Sequence, residues 1–441
     1  MKVYQLPGLT QEQLAVTFAM CSRSPEPFDI IAKKVSETKA AEFNEKWVLN
    51  YGHSSVAEHG VLQLAVEGIS RLAADKLEDS RLASFTEKSS RYQVINSSDY
   101  YIPDSALKED TENILNIVFN NYNALVKIVT SDLKKFNGLL NNESDSSFSL
   151  RMRRISTDIC RALLPAATLT NLGMTINARE MEHCISKLLS SDIPEVRLLA
   201  NNIKKKSLEI CPTLVKYANY NEYIHSLNGL GFYTSPNEAS NNIIVKLFNN
   251  NYTESYILEI LNKGLQYNLT GTEWNNISYI DNNYVTDIIQ RCSVYDSLPR
   301  IFEAIHFNFE INLDYGAYRE FKRHRMMSII SQPLTIKHGF NIPNNLMEDS
   351  SYKIFNDSIK LLENLWVKYY DIYGIELAQY FISHSHIQRI FVDINLREVI
   401  HFLRLRCSQQ AHQSIRMVAE EMRNILTLQY PIIFNNIHFR D

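Results

Sequence analysis

The segment RHRMMSIISQPL, residues 323–334, begins with two arginines around a histidine and then turns largely apolar. Part of it occurs earlier in the chain, because Arg325-Met-Met-Ser328 matches Arg81-Leu-Ala-Ser84. Two more pairs follow in the same order: Tyr101-Ile-Pro103 with Asn341-Ile-Pro343, and Asn177-Ala-Arg179-Glu180 with Asn395-Leu-Arg397-Glu398. Each match is weak alone. The kept order and the shrinking spacing indicate a duplicated domain with deletions in the second copy.

The duplication predicts two domains, residues 1–225 and 240–441, and 441 residues are enough for two cores. The stretch NYNEYIHSLNGLGFYTSPNEASNN, residues 219–242, is rich in Asn, Ser, Gly and Pro and breaks the helical pattern between them. Alternating apolar positions predict strands over 57–66 and 303–311, and long helices dominate elsewhere.

Residues 395–426 carry apolar residues at helical spacing and predict one long helix. Asn395, Phe402 and Arg406 are spaced to share one face of that helix. We therefore expect it to present Asn395 and Arg406 to a single ligand.

Composition argues against several classes of protein. Hydrophobic residues are 45%, charged residues 21% and the formal charge is −4, so nothing predicts nucleic-acid or membrane-surface binding. The N-terminus lacks a signal-peptide pattern and no apolar run is long enough to span a bilayer, which predicts a cytoplasmic protein. The six cysteines form no C-x-x-C pair, so we expect reduced, mostly buried thiols.

Glu87, Ser89 and Arg91 lie in the segment RLASFTEKSSRY, residues 81–92. A hydroxyl and a guanidinium can hold a phosphomonoester while the carboxylate accepts from a sugar hydroxyl. The alternative is a solvated surface turn with an incidental ion pair.

Arg323, His324 and Arg325 place two guanidiniums around an imidazole, which suits a diphosphate. A basic helix terminus that interacts with its own dipole is the alternative.

Histidines occur in two further clusters. The first cluster is His53, Ser55, Glu58 and His59, and a glutamate between two histidines is typical of metal ligands. The spacing of these residues matches no zinc-binding helix. Contact of His53 and Ser55 with a phosphate or cofactor is an equal alternative. No metal site is predicted. His384 and His386 are expected to be a partly exposed pair without a ligand.

Together these segments resemble the flavin-dependent thymidylate synthases, whose hallmark reads R-H-R-x-x-S-x-N-E-x-S-x-R-Y. The first copy, Asp79 to Tyr92, lacks the leading Arg-His but keeps the remainder from Arg81, with Thr86 at the Asn position. The second copy keeps Arg323-His324-Arg325 and Ser328 and lacks the tail. The resemblance covers nearly the whole chain, with the hallmark divided between the copies.

Other family elements are divided in the same way. The family's His-x-Ser/Thr-x-x-Glu-His element is kept in the first copy as His53, Ser55, Glu58 and His59. The arginine before Leu-Pro is Arg161 in the first copy, and the arginine of the long helix is Arg406 in the second. The family has Gln where Glu320 stands and Asn where His401 stands, so the accepted nucleotide could differ.

The resemblance implies an α+β fold of two tandem domains, each an antiparallel sheet with long helices, forming a pseudo-dimer. Family members are tetramers with sites at subunit interfaces. A homodimer of this chain is therefore expected to form a pseudo-tetramer with two competent and two vestigial sites.

The resemblance also implies C5-methylation of a pyrimidine nucleoside monophosphate, dUMP favoured, with methylenetetrahydrofolate as carbon donor, FAD as cofactor and NADPH as reductant. The implied substrate-binding residues are Glu87, Ser89, Arg91, Arg161, Arg323 and Arg406, with Arg406 catalytic because it favours the ionised base. The implied cofactor-binding residues are His53, Ser55, Glu87, Tyr92, Arg323, His324, Arg325, Asn395, Arg397 and His401. The alternatives are C5 modification of another pyrimidine nucleotide and a non-catalytic nucleotide- or flavin-binding homologue.

Overall fold

The computed structural model describes residues 1–228, 243–248, 252–271, 273–277, 282–343, 346 and 349–439. The chain divides into two compact units. The first consists of the described residues of Met1–Asp158, Pro165–Ser235 and Val367–Phe381, and the second of those of Ile159–Leu164, Pro236–Trp366 and Ile382–Asp441. Residues 229–242, where the sequence predicts the domain boundary, lie outside the described residues, and the predicted limits 1–225 and 240–441 stay a prediction.

The sheet of the first unit has three antiparallel strands, β1 (Val61–Ser70), β2 (Ala83–Glu87) and β3 (Leu169–Asn177), in the order β1-β3-β2. The register of β1 against β3 shifts between Val66 and Ile69. Gly68 lies in this bulge with φ +69°, a conformation that favours glycine.

The sheet of the second unit has four antiparallel strands, β4 (Ile244–Phe248), β5 (His306–Asp314), β6 (Met327–Ser331) and β7 (Ile387–Asn395). Their order is β4-β5-β7-β6. Side chains at the centre of this sheet, such as Phe309, Ile311 and Val392, are fully buried.

The α-helices of the described residues are, in chain order, α1 (Gln11–Met20), α2 (Phe28–Lys34), α3 (Glu37–Phe43), α4 (Arg71–Leu77), α5 (Lys108–Phe136), α6 (Asp145–Cys160), α7 (Ala178–Leu189), α8 (Pro194–Ile210), α9 (Glu222–Asn228), α10 (Glu254–Thr270), α11 (Asn282–Arg291), α12 (Tyr315–Phe321), α13 (Asp349–Tyr373), α14 (Ile375–Ala378), α15 (Leu396–Arg406), α16 (Gln413–Gln429) and α17 (Pro431–Phe434). None of these helices is both long and apolar enough to cross a membrane.

The structure shows the duplication as the same order of helices and strands in both copies. In each copy a strand leads into a short helix, a second short strand, a long helix, a third strand and another helix: β1-α4-β2-α5 then β3-α7, and β5-α12-β6-α13 then β7-α15. Equivalent side chains begin the helices that follow the strands, because Asn177 caps α7 and Asn395 caps α15. The mixed fold with two antiparallel sheets and long helices is confirmed.

Local predictions from periodicity were only partly right. Residues 54–59 and 300–304 form 3-10 turns, so β1 and β5 begin later than predicted, at Val61 and His306. The single helix predicted over 395–426 is wrong, because α15 ends at Arg406 and α16 begins at Gln413. Asn395 and Arg406 therefore lie at opposite ends of one short helix.

The two histidines before β7 are not partly exposed as predicted. His384 and His386 are 2% and 0% exposed. His386 Nδ1 lies within hydrogen-bonding distance of the Ser383 backbone N–H and hydroxyl, at 3.1 and 2.8 Å. This pair is part of the core of the second unit.

Candidate functional site

Two arginines share one carboxylate in the second unit. Glu320, at the end of α12, accepts from Arg161 Nη2 at 2.9 Å and from Arg406 Nη1 at 3.4 Å. Arg406 Nη2 also donates to the Glu320 carbonyl at 3.2 Å. All three side chains are largely withdrawn from solvent, with 8, 12 and 20% exposure for Arg161, Glu320 and Arg406. We call Arg161, Glu320 and Arg406 the guanidinium cluster.

Arg161 brings a residue of the first copy into the second unit. Arg161 belongs to the first copy along the sequence, but residues 159–164 are part of the second unit. Ser385 N–H donates to the Ala162 carbonyl and His384 N–H to the Leu164 carbonyl, which fixes this segment there. A first-copy guanidinium therefore lies with two second-copy residues.

His324 extends the cluster into a longer network. Arg406 Nε donates to His324 Nε2 at 3.0 Å, and His324 Nδ1 lies 3.2 Å from Glu398 Oε1. Since an arginine Nε always carries its proton, His324 Nε2 is an acceptor and the ring proton must sit on Nδ1, donating to Glu398. Burial lowers the pKa of His324 below its usual value, and the Arg406 charge acts in the same direction.

Three side chains in and next to this network, two histidines and one glutamate, are of the types that bind metal ions. Candidate ligand atoms of His324, Glu398 and His401 lie within 4.8 Å of one another. However, Nε2 of His324 is occupied by Arg406 and Nδ1 carries the proton that Glu398 accepts, so neither ring nitrogen offers a free lone pair. This network favours a neutral, oriented imidazole over a metal ligand.

A cavity of about 330 Å³ lies beside the network. It is lined by Asn395, Arg397 and His401, all three of which the sequence predicts as cofactor contacts, and by Met326 and Glu398 among others. The side chain of Arg397 is held in place by the Leu298 carbonyl at 2.7 Å and by Glu303 at 2.6 Å. The volume of the cavity is within the range of small-molecule pockets, about 300–1,000 Å³.

Arg323 and Arg325 flank His324 on the loop between α12 and β6, and both are exposed. Within the described residues, the Arg323 guanidinium has no carboxylate partner. His324 alone of the three points inward, which agrees with its hydrogen bonds to Arg406 and Glu398.

The predicted phosphate-binding loop lies in the first unit, and its charges are paired within that unit. Glu87 accepts from the buried Arg71 at 3.0 Å. Arg91 donates through Nε and Nη2 to both oxygens of Asp158, at 3.0 and 2.9 Å. Ser89 Oγ accepts from the Arg91 backbone N–H at 3.2 Å.

Three other predicted cofactor contacts are exposed in the first unit. The Tyr92 ring lies 5.8 Å from the Arg154 guanidinium, and the His53 ring lies 6.0 Å from the Trp47 ring. Ser55 lies in the 3-10 turn that follows His53. These side chains are accessible to a ligand.

The carboxylate partners were the part of the site that sequence reasoning missed. Asp158 is 67 residues from Arg91, and Glu320 is 159 residues from Arg161. No local pattern links such residues. The only available signal was the unusual Glu320, which stands where the resembled family has an amide.

Comparison with known proteins gives a consistent result. The family model described as "Thymidylate synthase complementing protein" matches residues 7–213 and 238–432. A UPF0159 protein of Chlamydia muridarum is 28% identical over 91% of this chain and 82% of its own length. A UPF0159 protein of Thermoplasma acidophilum is 25% identical over 92% of this chain and 90% of its own.

Single-copy relatives match about half of the chain. A flavin-dependent thymidylate synthase of Clostridium tetani is 27% identical over 47% of this chain and 82% of its own length. Among solved structures, a UMP/dUMP methylase from Streptomyces cacaoi bound with 5-Br dUMP covers 45% of this chain and 96% of its own, with 17% identity and a TM-score of 0.38.

The family model matches most of the chain in two successive segments, and the structure repeats the same order of elements in both. This chain therefore belongs to the thymidylate synthase complementing protein family and carries two tandem copies of its domain.

Proposed function

We propose that this chain is a flavin-dependent enzyme that methylates C5 of a pyrimidine nucleoside monophosphate, dUMP favoured, at a site to which both copies contribute. Methylenetetrahydrofolate would be the carbon donor and NADPH the reductant. The observation that carries the proposal is the guanidinium cluster, in which Arg161 of the first copy and Arg406 of the second share Glu320.

The two guanidiniums are suited to stabilising negative charge on a bound nucleotide. They are partly or largely buried, so their field is less screened than it would be in water. Arg406 is held by His324 and by the Glu320 carbonyl, which orients it before a ligand arrives. In this proposal Arg161 binds the nucleotide, and Arg406 faces the base and favours its ionised form.

The loop of the first copy would bind the remainder of the nucleotide. Ser89 and Arg91 would hold the phosphate, and Glu87 would accept from a sugar hydroxyl. Arg91 must then exchange Asp158 for the phosphate, which offers the same bidentate geometry to its fork of donors.

The residues around the cavity fit a flavin. Arg323 and Arg325 are exposed guanidiniums suited to a diphosphate. Asn395, Arg397 and His401 line a cavity whose wall also includes Met326, the residue after Arg325. When bound, FAD supplies the hydride chemistry of the reaction. His53, Ser55 and Tyr92 would lie near flavin or folate.

Three cysteines, two of them buried and Cys407 of intermediate exposure, are poorly suited to act as thiolate nucleophiles, which fits a reaction that needs none. Burial raises the pKa of Cys184 to about 11, of Cys211 to about 12 and of Cys407 to about 11. These thiols stay protonated at neutral pH and are poor nucleophiles.

Glu320 favours a second candidate, C5 modification of a different pyrimidine nucleotide. A carboxylate accepts hydrogen bonds only, whereas an amide can also donate, so the groups that it can pair on a ligand differ. The third candidate, a non-catalytic nucleotide- or flavin-binding homologue, would share the fold without the reaction.

One experiment separates the three candidates. Purified protein, reconstituted with FAD and reduced with NADPH, is mixed with methylenetetrahydrofolate and dUMP, UMP or dCMP, and products are identified by mass spectrometry. A methylated dUMP supports the proposal, and methylation of another nucleotide alone supports the second candidate. Flavin or nucleotide binding without product supports the third.

The composite site is tested by two variants in different copies. Arg91→Ala and Arg406→Ala should each lower nucleotide affinity by tenfold or more, because each removes a guanidinium from an anionic ligand. Calorimetric titration of the folded variants measures this. Unchanged affinity in either variant would contradict a site shared by the two copies.

The assembly is also a proposal. We infer a cytoplasmic homodimer that acts as a pseudo-tetramer of family domains. Light scattering should then give a mass about twice the 51.0 kDa of one chain.

A further inference from the structure

Glu320 occupies the guanidiniums that the proposed reaction needs. Its two carboxylate oxygens face different arginines, Oε1 toward Arg161 and Oε2 toward Arg406. With an exposure of 12%, its side chain is too buried for water to screen the charge effectively. The cluster thus already contains an anion from the protein itself.

The Glu320 carboxylate occupies guanidinium donors that an anion from solution would also use. Carboxylate, sulfate and phosphate oxygens compete for the same guanidinium donors. Arg161 and Arg406 stand on separate segments, the 3-10 turn 161–163 and the end of α15, and Glu320 bridges between them. An external anion that bridges them must displace Glu320 or bind beside it against its charge.

We propose that Glu320 determines specificity as an internal competitor: its carboxylate weakens binding of anionic groups at Arg161 and Arg406 and thereby favours ligands that bring a hydrogen-bond donor to this position. The nucleotide as ligand rests on the proposed function, whereas the competition between Glu320 and an anion does not. Glu398, the other buried carboxylate of the network, faces His324, and within the described residues it has no hydrogen bond or ion pair with Arg161 or Arg406.

The expected size of the effect follows from Coulomb's law. Two unit charges about 5 Å apart at an effective dielectric constant near 20 interact strongly enough to change an affinity by roughly two-hundredfold. Partial exposure of Arg406 screens part of this interaction, so a change of about tenfold or more is expected. Removing the charge of Glu320 should therefore strengthen anion binding, whereas damage to the fold can only weaken it. A gain in affinity is the signature that a merely structural role would not produce.

The test compares wild type with Glu320→Gln and Glu320→Ala by calorimetric titration with sulfate, UMP and uridine. Glu310→Gln is the matched control, because it removes the same charge from a half-buried position on β5 of the same unit. We expect sulfate, which is small enough to bind the cluster directly, to bind the Glu320 variants at least tenfold more tightly than wild type. UMP should also bind more tightly because Arg161 is freed to join Ser89 and Arg91 at its phosphate, whereas uridine, which has no phosphate, should be much less affected. The control should bind all three probes as wild type does.

The probes separate this inference from the proposed function. Tighter sulfate binding without any UMP binding would support the competition and count against a nucleotide substrate. Equal sulfate affinity in wild type and in the Glu320 variants would overturn the inference. Loss of the fold in both variants would also overturn it, because Glu320 would then be a structural residue.

Discussion

At the scale of single residues, the state of His324 is fixed by its neighbours. Arg406 Nε donates to one ring nitrogen, so the other must carry the proton and donate to Glu398. Protonation of the ring would place a second donor against Arg406. The neutral side chain therefore lies between a cation and a carboxylate and helps to orient the Arg406 guanidinium through one hydrogen bond.

This network predicts a pH dependence of stability. The pKa of His324 is lowered in the folded state, so between that pKa and the unfolded value of about 6.5 the unfolded chain binds more protons. The free energy of unfolding should fall as pH drops below about 6.5, by at most roughly 1.4 kcal/mol per pH unit from this group.

Urea unfolding of wild type and His324→Gln from pH 5 to 8 measures this contribution. The variant should be less stable at pH 8 but should lose less stability on acidification. Parallel pH profiles for the two proteins would show that His324 is not the group that titrates.

At the scale of elements, the two copies use the same device to start the helix after their third strand. Asn177 Oδ1 accepts from the Glu180 N–H, and Asn395 Oδ1 accepts from the Glu398 N–H, both at 2.9 Å. Of these two side chains, Asn395 also makes a second hydrogen bond within the described residues: its Nδ2 donates to the carbonyl of Met326, which lines the cavity, at 3.3 Å.

This difference predicts a matched pair of variants. Asn177→Ala and Asn395→Ala should each lose about 1 kcal/mol of stability, because each removes an N-cap. Only Asn395→Ala should also weaken flavin binding, because it disturbs the cavity. Denaturant unfolding and flavin fluorescence titration measure the two effects, and equal flavin affinity in both variants would remove Asn395 from the cofactor site.

Periodicity predicted which elements exist better than where they end. Apolar spacing alone joined α15 and α16 into one helix, but residues 407–412, Cys-Ser-Gln-Gln-Ala-His, offer little apolar surface to bury, and His412 caps α16 instead. The β1 strand begins after a 3-10 turn for a similar reason: the first apolar side chain that the strand buries is Leu62, next to its first residue.

At the scale of the whole molecule, the two copies have diverged in complementary ways. Asp79 and Ser80 stand in the first copy where Arg323 and His324 stand in the second. Asp79 is paired with Lys187. An acidic residue at the position of Arg323 disfavours a diphosphate, so the first copy is not expected to hold a flavin through this loop.

The predicted flavin content is therefore one per chain. Absorbance of the reconstituted protein should give that ratio, and Arg325→Ala should lower it sharply. The equivalent first-copy variant, Arg81→Ala, is the control and should leave it unchanged. Two flavins per chain would contradict the division of labour between the copies.

The sequence predicted the family and the tandem arrangement because short motifs carry that information locally. It could not predict that Arg71, Asp158 and Glu320 neutralise the charges of the candidate site, because each of these pairs depends on how distant segments pack. The roles of the site residues and the shared site stay predictions.

The interleaved composition of the two units bears on the stability of each copy by itself. Tyr380 belongs to the second copy along the sequence but to the first unit in the structure, where it donates to the buried Glu195 at 2.7 Å. Arg161 shows the opposite case: it belongs to the first copy along the sequence and lies in the second unit, where it donates to Glu320. The first copy alone would lack the Tyr380 donor to Glu195, and the second copy alone would lack the Arg161 cation beside Glu320. We therefore expect each copy to be less stable when expressed alone than within the full chain.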